Sequence, residues 1–189
     1  MKTLETNSLN NFIAGWIHPN DKICNDILEY FENSEQKFSG RTSKGIKTDI
    51  KDSIDCWLNG KVLDSYYEYL SESVKQYVEL YPFCNFYSPW RTIEPVLISH
   101  FKPGGGFFAW HSERISSRFP STSRHLVFMT YLNDVDDGGE TEWYHQKIKI
   151  KPRKGLTVIW PADWTFTHRG IPSDTQDKYI VTGWINYIK

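Results

Sequence analysis

The chain has few cysteines, no excess of charge and no long apolar run. Its 189 residues include only 3 Cys, with no CxxC pair, which excludes a zinc finger or a thioredoxin-like motif. The formal net charge of −1 excludes the basic surface of a nucleic-acid-binding protein. No apolar segment reaches the length of a signal-peptide core or a transmembrane helix. We therefore expect reduced thiols, a cytoplasmic location, and no nucleic-acid or membrane partner.

Aromatic residues, in contrast, are abundant and recur along the whole chain. They make up 16% of it and include 8 Trp. This composition excludes a long disordered tail and favours a compact body with an aromatic-lined interior. The length fits one domain better than two. We expect a single domain over residues 1–189, present as a monomer or a homodimer.

Helical spacing dominates the first half of the sequence. A start signal at residues 18–21 precedes apolar residues at helical spacing. A second apolar stripe predicts a helix from near Lys61 to Tyr81, packed on the core. The polar, glycine-punctuated segment 38–53 predicts a loop or short strands, and is a candidate flap. Residues 1–90 are therefore predicted to form a mainly helical support region.

From residue 91 onward, short extended runs alternate with turn formers. The predicted strands are EPVLISHF, FFAWHSE, HLVFMTYLN, GGETEWY, KIKIK, LTVIW, TFTHR and KYIVTGWINYI. Helices followed by about eight short strands predict a mainly β chain with N-terminal helices, of the α+β class. The expected architecture is a double-stranded β-helix, or jelly roll, over residues 91–189, with the helices packed on one outer face.

One short stretch combines two potential metal ligands. His111 and Glu113 follow three glycines at residues 104–106, and side chains at i and i+2 of a strand share a face. Alone, the H-x-E pair is a weak signal, because short polar pairs of this kind occur by chance in many proteins, and a polar strand edge is the alternative interpretation. His168, on a later predicted strand, adds a third ligand type. Two histidines and a carboxylate suit non-heme Fe(II), and a zinc-loaded structural site is the alternative.

A lysine heads the last predicted strand. Lys178, Ile180, Thr182 and Trp184 share one face by the period of two. A buried ammonium among such neighbours requires an anionic partner. Alternatively, a lysine at the start of a strand extends its amine to solvent. Both interpretations are open on these residues alone.

Between Glu94 and Ile188 the sequence resembles the Fe(II)- and 2-oxoglutarate-dependent dioxygenases of the prolyl 4-hydroxylase-like group. The likeness rests on several features in the same order over about half of the chain. They are a Gly-rich turn before His111-Ser112-Glu113, Arg124 ahead of Tyr131-Leu132-Asn133, GGET at 138–141, PRKG at 152–155, His168, Lys178-Tyr179 and Gly183-Trp184.

The resemblance implies a role for each matched residue. His111, Glu113 and His168 would bind Fe(II) and form the catalytic centre, with 2-oxoglutarate and O2 as cosubstrates and ascorbate as a candidate reductant. Lys178 would pair with the distal carboxylate of 2-oxoglutarate, so that each charge offsets the desolvation of the other. The Tyr131 hydroxyl would donate to the same carboxylate.

The resemblance also predicts a substrate pocket, with Arg124 near its mouth and Trp184 in its lining. Two positions depart from the group. Glu113 stands where most members carry Asp, and Phe101 stands where relatives often have a tyrosine that touches the cosubstrate. The segment 114–124, RISSRFPSTSR, is either an ordering lid or a solvated loop.

The activity implied is hydroxylation of an unactivated C–H bond, with release of succinate and CO2. The expected substrate is a prolyl residue in a peptide or protein. A free amino acid or another side chain is the alternative within the enzyme class. From another class, the chain is a catalytically silent jelly roll that binds a metal or a partner.

Overall fold

A computed structural model describes residues 2–3, 11–42 and 45–188 of the chain. The two helices are α1, Lys22–Asn33, and α2, Gly60–Leu80. The strands are β1 Lys2–Thr3, β2 Ala14–Ile17, β3 Phe38–Ser39, β4 Ile54–Leu58, β5 Trp90–Arg91, β6 Val96–Phe101, β7 Arg124–Tyr131, β8 Thr141–Trp143, β9 Ile148–Ile150, β10 Leu156–Pro161, β11 His168–Gly170 and β12 Lys178–Tyr187. The prediction of a mainly β chain with N-terminal helices is confirmed.

The strands form two antiparallel sheets. The large sheet has the order β1-β2-β10-β7-β12-β6-β4-β3, with β5 paired to the end of β12. The small sheet has the order β11-β8-β9. Strands β10, β7, β12 and β6 are the longest strands and lie next to one another in the middle of the large sheet, where the pairing of β12 with β7 shifts register at Ile185/Asn186.

Successive residues of β7 point to opposite faces of the large sheet, as a pleated strand requires. Leu126 and Phe128 belong to a core cluster that contains the buried residues of both helices. Val127 and Met129 belong to a second cluster, together with Trp143 of the small sheet. The helices therefore cover one face of the large sheet, and the small sheet lies against the other.

Each helix has one buried stripe. Helix α1 buries Ile23, Ile27 and Phe31, which recur every four residues. Helix α2 buries Leu70 and Tyr77, among others, and ends one residue before the predicted end. The periodicity of the sequence thus predicted α2 to within a residue at each end, and it predicted the presence and the start of α1, because each helix has one face on the core.

The first half is less helical than predicted. Strands β2 and β4 lie in it and extend the large sheet on either side, next to β10 and β6. They span only four and five residues, too few for alternation to stand out beside two long helical stripes. No described helix is both long enough and apolar enough to cross a bilayer.

The predicted strand FFAWHSE was wrong. Residues 107–113 form isolated bridges, not a regular strand, because their backbone groups bond to several segments in turn. The Phe108 amide donates to Ile50, the His111 amide to His168, and the Glu113 amide to Ala162. This change of partners prevents a continuous ladder, although it still presents His111 and Glu113 on one side.

Candidate metal centre

The three predicted ligands converge on one point. The Nε2 atoms of His111 and His168 lie 3.6 Å and 3.5 Å from Oε1 of Glu113. One ligand atom from each residue falls within 4.8 Å of the others. Metal–ligand bonds of about 2.0–2.2 Å place adjacent ligand atoms roughly 3–3.5 Å apart. The spacing therefore fits a single ion among the three side chains.

Backbone contacts fix the two imidazoles. His111 and His168 are paired by reciprocal backbone hydrogen bonds of 3.0 Å and 2.8 Å. Nδ1 of His111 lies 3.0 Å from the Ala109 carbonyl, and Nδ1 of His168 lies 2.9 Å from the Phe166 carbonyl. A carbonyl only accepts, so each Nδ1 carries a proton, and each Nε2 is the nitrogen that faces the centre and could bind a metal.

The charges of the triad suit a cation. Burial alone would raise the pKa of the Glu113 carboxyl, but hydrogen bonds and charge from both histidines hold that pKa well below its ordinary value. Burial lowers the pKa of His168, with a further contribution from the charge of His111. An ionised carboxylate beside a neutral imidazole is the protonation state in which these groups bind metal. Donor set, spacing and protonation all fit Fe(II).

Glu113 is anchored on the side away from the histidines. Its Oε2 accepts a hydrogen bond of 3.0 Å from the Trp184 indole and lies 3.5 Å from Nη1 of Arg124. The Arg124 guanidinium stacks 3.6 Å above the Trp184 ring and forms two bonds, of 2.9 Å and 2.6 Å, to Glu94. Both predicted pocket residues therefore contact the carboxylate ligand.

A cavity of about 610 Å³ opens from the triad between the two sheets. Its lining includes all the predicted site residues except Tyr131. Besides Arg124, three further residues of segment 114–124 line the cavity: Ile115, Ser116 and Ser121. Segment 114–124 thus borders the cavity, with the Arg114 guanidinium 3.7 Å from Asp163.

Lys178 is buried in the same cavity, with 3% of its surface exposed. Its ammonium donates to the carbonyls of Gly139, at 3.1 Å, and Ile171, at 3.3 Å, and lies 4.8 Å from the Phe101 ring centroid. No carboxylate of the described residues lies within ion-pair distance of it. Burial lowers the pKa of Lys178 to about 8, against the opposing charge of Glu140. The cavity therefore contains a cation that lacks an anionic partner within the described part of the chain.

Tyr131 is placed differently from the expectation. Its hydroxyl donates to Thr141 at 2.7 Å and lies 3.2 Å from the Ile150 carbonyl, and the residue is fully buried. Thr141 lines the cavity, whereas Tyr131 does not. In this arrangement the phenol supports the cavity wall through Thr141. Direct donation from Tyr131 to a bound carboxylate stays a prediction.

Some residues of the site had no signal in the sequence. Glu94, which holds Arg124, has no spacing relation to it. Lys51 lines the cavity from the candidate flap and forms a buried ion pair of 2.6 Å with Asp55. Phe107 stacks on the His111 ring with centroids 3.7 Å apart. Glu94 and Arg124 lie 30 residues apart. The other two pairs are only four residues apart, but neither lies within one regular helix or strand, so periodicity could not find them.

The comparisons with known proteins agree with this geometry. Residues 96–186 match the family model of the 2OG-Fe(II) oxygenase superfamily. The probable prolyl 4-hydroxylase 9 of Arabidopsis thaliana is 32% identical over 87 residues, covering 34% of this chain and 30% of the relative. Prolyl 4-hydroxylase subunit alpha-3 of Mus musculus is 26% identical over 95 residues, covering 43% and 18%. The matched part spans less than a third of either curated relative.

Solved structures resemble nearly the whole chain. A viral collagen prolyl hydroxylase from Paramecium Bursaria Chlorella virus-1, solved with 2OG, has a TM-score of 0.68 at 18% identity and covers 95% of this chain and 98% of its own. A Trichoplax adhaerens prolyl hydroxylase, solved with a hypoxia inducible factor peptide fragment, has a TM-score of 0.75 at 16% identity, covering 94% and 84%. These likenesses show the fold. Residues 96–186, just under half of the chain, carry the match to the 2OG-Fe(II) oxygenase superfamily, and the triad lies within them.

Proposed function

We propose that the protein hydroxylates an unactivated C–H bond with Fe(II), 2-oxoglutarate and O2. Fe(II) bound by His111, Glu113 and His168 would supply the oxidative chemistry, with release of succinate and CO2. The observation that carries this proposal is the pairing, within one cavity, of a metal-ligand triad and a buried ammonium. 2-Oxoglutarate has a keto acid at one end, which suits a metal held by the triad, and a carboxylate at the other end, which suits the buried ammonium.

Different side chains of the cavity would bind the ion and orient the cosubstrate. The imidazoles and Glu113 hold the ion, and Lys178 orients the cosubstrate through its distal carboxylate. Pairing supplies the buried ammonium with the anion that it lacks, which offsets the desolvation of both charges. Phe101 and Met129 line the cavity, and their apolar side chains would help to exclude water around a bound cosubstrate. Such exclusion strengthens the charge pairing.

The two sheets support the jelly-roll interpretation. We propose that they are the two sheets of a double-stranded β-helix, with the metal triad between them. Residues 14–58 contribute β2 and β4 to the large sheet, which supports a single domain over the whole chain. The helices then cover the outer face of the large sheet.

A prolyl residue in a peptide or protein is the proposed substrate. The curated relatives are prolyl 4-hydroxylases by name, and one similar structure was solved with a peptide fragment. In this chain Arg124 and Trp184 line the cavity close to the triad. An indole in the cavity wall would suit contact with a pyrrolidine ring.

An anaerobic titration followed by oxygen tests the proposal. Apoprotein is loaded with Fe(II), 2-oxoglutarate is added, the metal-to-ligand charge-transfer band is recorded, and succinate is measured after oxygen is admitted. We expect a band and succinate, with more succinate when a proline-containing peptide is present. If the folded protein gives neither the band nor succinate, the oxygenase proposal is contradicted. The catalytically silent jelly roll would then be the remaining interpretation. Tight zinc binding without turnover would favour the structural zinc site.

Free amino acids serve as the substrate control. Free proline and other amino acids are incubated under the same conditions as peptides that contain proline, and hydroxylated products are identified by mass spectrometry. Product from peptides alone supports the proposed substrate class. Product from a free amino acid alone would exclude it while retaining the oxygenase.

A further inference from the structure

The two oxygens of the Glu113 carboxylate have separate partners. Oε1 faces the Nε2 atoms of both histidines, at 3.5 Å and 3.6 Å. Oε2 faces the Trp184 indole N–H, at 3.0 Å, and the Arg124 guanidinium, at 3.5 Å. A carboxylate whose second oxygen is held by donors offers one oxygen to a metal.

The backbone of Glu113 is fixed as well. Its amide donates to the Ala162 carbonyl at 3.2 Å, and its own carbonyl accepts a bond of 2.9 Å from Nη1 of Arg124. Ser121 donates to the same carbonyl at 3.4 Å. The main chain therefore cannot move toward the centre without breaking these bonds.

Side-chain length consequently decides whether both oxygens reach their partners. The side chain of aspartate is shorter than that of glutamate by one methylene, so its carboxylate extends roughly 1.5 Å less far from the backbone. With the backbone held, a shorter carboxylate cannot approach the two histidines and still accept from the Trp184 indole. The donors on Oε2 lie at the distance that glutamate requires.

The donors themselves are held in place. Arg124 stacks on Trp184 and is clamped by both carboxylate oxygens of Glu94, whose side chain is only 8% exposed. Asn186 donates to Glu94 at 2.9 Å. A chain of contacts thus runs from Asn186 through Glu94 and Arg124 to the metal carboxylate.

We propose that Trp184 and Arg124 are positioning residues that present Glu113 to the metal through one oxygen, and that they fit the site to glutamate and not to aspartate. This inference rests on the proposed metal site. It assigns Trp184 and Arg124 a role toward the ion in addition to their place in the cavity wall.

Metal affinity of the apoprotein is the direct test. Co(II) is titrated into wild type, Trp184→Phe, Glu113→Asp and the double variant, and the visible spectrum reports both affinity and coordination. Trp184→Phe keeps a ring for Arg124 to stack on and removes only the N–H donor. Trp57→Phe, on β4 and outside the cavity lining, is the matched control.

We expect each single change to weaken Co(II) binding by about tenfold or more. We also expect each to alter the Co(II) spectrum, and the double variant to bind no more weakly than the weaker single one. Trp57→Phe should bind as wild type does. A spectral change distinguishes ligand positioning from a general loss of stability, because a stability effect leaves the bound spectrum intact.

The outcomes separate the two proposals. If the wild-type protein binds no Co(II), both the proposed metal site and this inference are contradicted. Wild-type binding with unchanged affinity and spectrum in Trp184→Phe, or with fully additive losses in the double variant, overturns the inference alone. If Trp184→Phe does not fold, Glu113→Asp decides: affinity within about twofold of wild type overturns it.

Discussion

The two faces of the large sheet differ in how closely they are packed. On the helix face, packing is so close that a Cβ on Gly183 would lie 2.2 Å from the Phe128 ring. On the other face, strands β7 and β12 border a cavity of about 610 Å³ that holds Lys178 and the triad. Close packing stabilises a fold, whereas buried charge without a partner costs free energy. The helix face therefore serves packing, whereas the other face combines a second core cluster with the cavity of the candidate site.

Removing a metal ligand should produce the largest functional effect with no loss of fold. His168→Ala removes one of the three proposed ligands, so we expect Fe(II) affinity to fall by more than about 100-fold and succinate formation to cease. The thermal midpoint of the apoprotein should stay within a few degrees, about the effect of 1 kcal/mol. Isothermal titration measures the Fe(II) affinity, a succinate assay measures turnover, and scanning calorimetry measures the thermal midpoint.

His145→Ala is the matched control for that change. His145 is exposed beyond β8, and its ring contacts Tyr144 and Trp164 instead of the triad. Its removal should leave metal affinity as in wild type. Equal losses in the two variants would contradict the assignment of His168.

Truncating a side chain on the packed face should give the reverse result. Phe128 is fully buried against the helices, so Phe128→Ala should lower the free energy of unfolding by about 3–5 kcal/mol. Met129, its neighbour, borders the cavity. Met129→Ala should cost less, because part of its side chain already lacks packed neighbours. Urea denaturation of the two variants compares them, and equal losses would break the contrast between the faces.

The cavity lysine should make cosubstrate binding depend on pH. The ligand-free pKa of Lys178 is about 8, because burial disfavours its charge. A bound carboxylate requires the ammonium, so affinity for 2-oxoglutarate should be constant below pH 8 and fall by about tenfold per pH unit above it. Titration calorimetry of metal-loaded protein between pH 6.5 and pH 9.5 measures this.

Lys178→Arg supplies the control, since arginine stays charged throughout that range. Its affinity should show no such fall with pH. Lys178→Met should lose cosubstrate binding and leave the fold as stable as wild type or more so. A flat wild-type profile to pH 9.5 would contradict a depressed lysine pKa.

The smallest effect is expected at Tyr131. Tyr131→Phe removes a hydroxyl whose bonds go to Thr141 and the Ile150 carbonyl, so it should lower the free energy of unfolding by about 1 kcal/mol. Affinity for 2-oxoglutarate should change by less than about threefold, because no bond to a charged group is lost. A loss of tenfold or more would instead support the sequence-based prediction that the phenol donates to the cosubstrate.

The sequence could predict elements that carry a long regular pattern. Helices α1 and α2 each repeat a buried position through several turns, and β12 is an extended run of ten residues. Strands β2 and β4 are short, so their place in the large sheet depends on pairing partners that periodicity does not name. Their assignment required the tertiary structure.

The site divides in the same way. The spacing of His111 and Glu113 is local, and it singled them out even though the strand expected there is a set of bridges. The bond from Trp184 to Glu113 and the clamp of Glu94 on Arg124 join distant segments. No pattern in one sequence encodes such contacts, because they depend on how strands cross.

The reciprocal backbone bonds between His111 and His168 bear on how the protein would respond to losing its ion. A metal that alone joined two remote segments would close a long loop, and its removal would restore that loop's freedom. Here two amide–carbonyl bonds already close the loop. Chelation should therefore empty the centre without opening it, and hydrogen exchange at these two amides should stay slow in apoprotein. The protein would then be able to take up and release iron repeatedly without refolding.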